Sequence, residues 1–105
     1  EYGEPIVLLP GEYEVAYLLD LCGAAPGGLR LLVYGYYWNG TGYERAVLAN
    51  ASLNESSLPR CSWAEVAVRV STNTVLGYVQ ATVVARQVEG WLTINRVAFI
   101  QVTPP

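Results

Sequence analysis

The chain has 105 residues, 52% of them hydrophobic and only 14% charged, with a formal net charge of −3. That length suits one domain with a real core and is too short for two. The acidic balance argues against nucleic acid, which wants a basic patch. No apolar run approaches the roughly 20 residues of a membrane helix, so no membrane span is expected.

All six positive charges are Arg, scattered singly at positions 30, 45, 60, 69, 86 and 96, and the chain has no Lys, His or Met. The opening Glu1-Tyr2-Gly3-Glu4-Pro5, without an initiator Met, suggests a mature product from which a signal peptide has been removed.

The first ten residues turn apolar at Ile6, Val7, Leu8 and Leu9 and are fenced by Pro5 and Pro10-Gly11. Proline cannot donate to a ladder, so residues 1–10 read as a separate, edge-type element ahead of a domain spanning 11–105. Four apolar residues in a row do not suit a strand with one solvated face. The Pro10-Gly11 junction permits either a reversal onto the same domain or an extended exit, and the exit is favoured because so much apolar surface is left for a monomer.

Residues Glu12–Cys22 alternate, with Tyr13, Val15, Tyr17, Leu19 and Leu21 on one face and Glu12, Glu14 and Asp20 on the other, the pattern of a half-buried strand. A turn through residues 23–28 leads into Leu29–Trp38. This strand is apolar on both faces and is therefore expected at the centre, covered on both sides. Asn39-Gly40-Thr41-Gly42 gives a tight hairpin into a return strand, Tyr43–Ala49. A polar loop follows from Asn50 to Arg60. Ser62-Trp63-Ala64-Glu65 has capping-box spacing, but Val66, Val68 and Val70 recur at every second position and favour a strand. Val75–Ala85 and Trp91–Val102 are two further strands, the second with Leu92, Ile94, Ala98, Ile100 and Val102 inward. Turns every 8–12 residues make the fold class all-β, a single antiparallel β-sandwich of Ig-like or pilin-like type with about seven strands.

The chemical inventory is thin. Without His, the commonest general base and metal ligand is missing. The carboxylates fall in no calcium or zinc spacing, and Gly27-Gly28 lacks the Lys and helix of a phosphate loop. No cofactor, metal or catalytic residue is expected, and no enzyme.

The cysteines and sequons say more. Cys22 and Cys61, in a chain that looks exported, read as one disulfide, the other possibility being two buried thiols. Asn39, Asn50 and Asn54 each open an N-x-S/T sequon in a turn or loop, which points to N-linked glycans. Tyr34, Tyr36, Trp38 and Tyr43 invite a sugar-stacking reading, though core or interface packing is the more ordinary use of such rings.

A small, charge-poor, Tyr/Val-rich sandwich with several sequons and a detached apolar N-terminal segment resembles the subunits of archaeal extracellular filaments, the threads and bundling pili. The resemblance implies donor-strand complementation, with Ile6-Val7-Leu8-Leu9 of one subunit completing the sheet of the next in a homopolymer. The long N-terminal helix of type IV pilins has no counterpart, which points away from that class. Independently of any resemblance, an open sandwich leaves an unpaired edge that a neighbour's strand would satisfy, and repeated head to tail that contact makes a fibre. The alternatives are a secreted cell-surface module for adhesion or carbohydrate binding, and a small secreted inhibitor or enzyme accessory.

Overall fold

The computed structural model describes residues 2–102. It is a β-sandwich of seven strands in two antiparallel sheets: β1 (Tyr2–Leu8), β2 (Gly11–Ala24), β3 (Leu29–Trp38), β4 (Tyr43–Leu53), β5 (Trp63–Thr72), β6 (Leu76–Ala85) and β7 (Glu89–Gln101). One sheet has the order β1-β6-β3-β4, the other β5-β2-β7. The capping-box segment is strand β5, where Val66 and Val68 pack inward and Val70 is buried.

The two middle strands carry the core. On β2, Tyr13, Val15, Tyr17, Leu19 and Leu21 are all buried; Leu29, Leu31 and Val33 of β3 meet them from the other sheet. Tyr17 is fully enclosed, its hydroxyl donating to the Thr82 carbonyl at 3.3 Å. Burial pushes its phenol pKa well above the ordinary value, because the phenolate would be stranded in an apolar layer. Gly35, on the inward face of β3, permits close packing: a Cβ there would lie 2.7 Å from Val79 Cγ2.

Three expectations are corrected. First, β3 is central within its sheet but covered on one side only. Its outer residues Leu32 and Tyr36 are half-buried and Trp38 is 60% exposed, with no second layer over them among the described residues. Second, β4 runs to Leu53, so Asn50 lies in a strand opposite Leu32 and not in a loop. A bulge at Leu48 shifts the register between Val33 and Tyr34, and pairing is regular again from Val33 opposite Ala49 to Leu29 opposite Leu53. Third, β7 changes face at a bulge: Leu19 faces Ile94 but Leu18 faces Arg96, leaving Asn95 as the extra residue. Beyond it Val97 and Phe99 pack inward, while Ala98 is half-buried and Ile100 is 51% exposed on the outer face. One inserted residue flips every later side chain, since strand periodicity is two.

The disulfide forms as expected. Cys22 and Cys61 are bonded, with Cα atoms 4.2 Å apart and a sequence separation of 39. Around the bridge, the Cys61 amide donates to the Leu21 carbonyl at 3.0 Å, and the Arg60 guanidinium donates to the Gly23 carbonyl. Closing a loop of that length contributes roughly 4 kcal/mol in the chain-entropy account.

Candidate functional site: the β1 edge and the outer face

Two surfaces stand out. The first is the β1 edge. In the single chain β1 pairs antiparallel with β6, Ile6 opposite Val79 and Leu8 opposite Leu76, with register irregularities on both sides of Ile6. The four apolar residues divide between faces: Leu8 is buried and Ile6 packs against the core, whereas Val7 and Leu9 are 64% and 62% exposed. Residues 2–8 thus belong to a sheet of their own domain in this chain.

The connection at this edge passes between the sheets, as does every connection among the described strands except β3–β4. β1 ends one sheet, but the strand that follows it, β2, is the centre of the other. Leu9-Pro10 makes the crossover, and Gly11 enters β2 with φ of 149°, a backbone angle that suits glycine. The Tyr13 hydroxyl donates to the Leu9 carbonyl at 2.8 Å and holds the crossover down. Beside it a cleft of about 730 Å³ opens at the end of the sandwich, lined by Gly11, Tyr37, Leu48, Thr72 and Leu76 among others.

The second surface is the outer face of the four-stranded sheet. Tyr34 and Tyr36 meet edge to face at 6.2 Å, Tyr36 and Tyr78 at 6.3 Å, and Trp38 and Tyr43 at 5.2 Å. The four aromatic residues singled out from sequence therefore share one face. Tyr34 is the innermost of them, its hydroxyl donating to Gln80 Oε1 at 2.8 Å while the Arg45 guanidinium sits 4.5 Å from its ring centroid. Sequence reasoning missed Tyr78, although Gln80 and Thr82 alternate with Val79, Ala81 and Val83 and so mark its face. Tyr78 stands at φ 54°, a left-handed conformation rare for a bulky residue. It lines a cleft of about 540 Å³ with Tyr36, Tyr43 and Gly77. Val47 and Val84 extend the exposed apolar surface to either side.

The sequons divide in two. At the β3–β4 tip, Asn39 Oδ1 accepts from the Thr41 amide at 2.9 Å, the Thr41 hydroxyl at 3.0 Å and the Gly42 amide at 2.9 Å. Asn54 does likewise, accepting from the Ser56 amide at 3.1 Å and hydroxyl at 2.8 Å. Both are exposed turns, whereas Asn50 is an exposed strand residue. At the tip, Glu44 accepts from the Tyr37 hydroxyl at 2.6 Å and from Asn39 Nδ2 at 2.7 Å. These bonds, Tyr37's first, hold the Glu44 carboxyl below its ordinary pKa, and the same bond together with the Glu44 charge raises the Tyr37 phenol.

Among the described residues no three His, Cys, Asp or Glu converge as a metal-binding group. No described helix is long and apolar enough to cross a membrane. Compared with protein-family models, curated proteins and solved structures, the chain matches none.

Proposed function

We propose that this chain is the structural subunit of an extracellular filament, polymerising head to tail by strand exchange. In that assembly β1 of one copy leaves its own sheet and pairs with β6 of the next. The observation that carries the reading is the split between β1 and β2. Because β2 is rooted in the opposite sheet, β1 can depart at Leu9–Gly11 without breaking any other strand pair. The pairing it would re-form is the one it makes within its own chain, so exchange leaves the contacts of the sandwich nearly unchanged and adds connectivity between copies.

Three further features support the reading. The β1–β6 ladder is irregular on both sides of Ile6, and an irregular edge is weakly specified. The disulfide suits an oxidising, extracellular compartment. The Asn39 and Asn54 turns present their amides at the surface, where N-linked glycans would shield a charge-poor chain. The role is mechanical and not catalytic.

The test is complementation. A chain lacking residues 1–9 should be monomeric and unstable, and should recover stability and stop at a capped monomer when supplied with a peptide of residues 1–9. A truncated chain that forms filaments as the intact one does would refute strand exchange. The open tyrosine face favours a second reading, a sugar-binding cell-surface module. That reading gains if the intact chain stays monomeric at high concentration and binds neutral oligosaccharides.

A further inference from the structure

The two outer faces of the sandwich differ in charge. Among the described residues, the outer face of the four-stranded sheet carries Arg30 and Arg45 and no carboxylate; Arg45 stands beside Tyr36, near Trp38, Tyr43 and Tyr78, and Arg30 lies toward the other end of β3, opposite Ser52 and Val84. The outer face of the three-stranded sheet carries more carboxylates than guanidiniums. Glu12, Glu14 and Asp20 of β2 and Glu65 of β5 stand there against Arg69 and Arg96.

The spacing matches as well as the sign. Arg45 lies opposite Tyr36, so the two basic positions are separated by the Arg30–Tyr36 stretch of β3. That is about 20 Å at roughly 3.3 Å per residue. Glu14 and Asp20 are the same number of residues apart along β2 and so span the same length. Among the described residues Glu14 pairs with Arg69 at 3.7 Å, both partly exposed, a contact worth little and easily traded.

The apolar residues complete the match. Trp63 lies directly opposite Asp20 and is 49% exposed. Tyr36, directly opposite Arg45, lines the tyrosine cleft of about 540 Å³. Setting Arg45 against Asp20 and Arg30 against Glu14 brings the Trp63 ring to the mouth of that cleft. A buried aromatic anchor beside a charge pair is the usual composition of a strong interface centre.

We infer that the outer face of the four-stranded sheet docks on the outer face of the three-stranded sheet of a second copy, stacking the sandwiches side by side. The contact uses two different faces, so each copy keeps one of each available and the stack does not close. It goes beyond strand exchange and is independent of it, because it uses sheet faces and leaves the β1 edge untouched.

The experiment uses two full-length charge-reversed proteins, Arg30→Glu/Arg45→Glu and Glu14→Arg/Asp20→Arg, checked for folding by circular dichroism. Where Asp20→Arg does not fold, Glu12→Arg/Glu14→Arg replaces the second protein. Self-association is followed by sedimentation velocity and negative-stain microscopy at 50 and 500 mM NaCl, with no other ligand. The parent protein should associate laterally, with affinity falling about tenfold or more between the two salt concentrations. Each reversed protein alone should lose lateral association, and their equimolar mixture should regain it, since every docking face then meets its opposite charge. Reversed proteins that associate like the parent, or a mixture no better associated than its components, would overturn the inference. Failure of strand exchange alone would abolish end-to-end growth and leave the rescue by mixing intact.

Discussion

Leu8 lies opposite Leu76 where β1 meets β6, and both are buried, 3% and 1% exposed. Val7, the next residue back along β1, is 64% exposed on the outer face. Leu8→Ala should therefore lower stability by about 2–5 kcal/mol, the range for emptying a buried leucine site. Val7→Ala should change it by under about 0.5 kcal/mol. Denaturant midpoints of the two variants check this, and equal effects would mean that β1 does not seat in the register described.

The crossover is held by Tyr13. Tyr13→Phe removes the hydroxyl that donates to the Leu9 carbonyl and should cost about 1 kcal/mol. The more telling readout is local. Amide hydrogen exchange along β1 should quicken several-fold while that of β2 and β3 stays the same, and exchange of β1 between copies should speed up. Uniform loosening of the whole sandwich would show that the bond serves the core and not the crossover.

The β3–β4 tip should respond to pH through Glu44. Its folded pKa is depressed by the bonds from Tyr37 and Asn39, so its contribution is complete above the ordinary carboxylate pKa of 4.5 and is lost as pH falls through the lowered folded value. For Tyr37 the sign is opposite. Its pKa is raised above 10.0, so its contribution is complete below that value and is lost as pH rises through the folded value. Side-chain carboxyl shifts followed by NMR should place the Glu44 midpoint below that of an exposed glutamate, and Tyr37→Phe should move it back up. An unmoved midpoint in that variant would remove the tyrosine as the cause.

Gly35→Ala tests the closeness of β3 and β6. The added methyl would meet Val79 Cγ2 at 2.7 Å, an overpacking cost of about 1–3 kcal/mol. Val79→Ala on that background should recover part of the loss, giving a coupling visible in a double-mutant cycle.

Much of the architecture was legible in the sequence, and the reasons are local. The β2 face from Tyr13 to Leu21 follows strict alternation, and each of its apolar residues is buried as the pattern requires. Asn39-Gly40 marks the hairpin by turn chemistry alone. What escaped was set by bulges, which leave no signature in hydrophobicity. Asn95 sends Ile100 outward although its side chain suits a core position. The apolar outer face of β3 was misread for a related reason. A strand hydrophobic on both sides can be covered by a second layer or left for a partner, and sequence periodicity is identical in the two cases.

The most direct test of strand exchange is to trap it. Leu8→Cys is placed in one pool of full-length protein and Leu76→Cys in a second pool carrying a distinguishable tag. The pools are mixed under assembling conditions and oxidised with the Cys22–Cys61 bridge intact. Strand exchange predicts cross-links joining the two tags, and a ladder of covalent multimers when both substitutions are in one chain. A doubly substituted chain that yields only internally bridged monomer, with no cross-link between the pools, would contradict it.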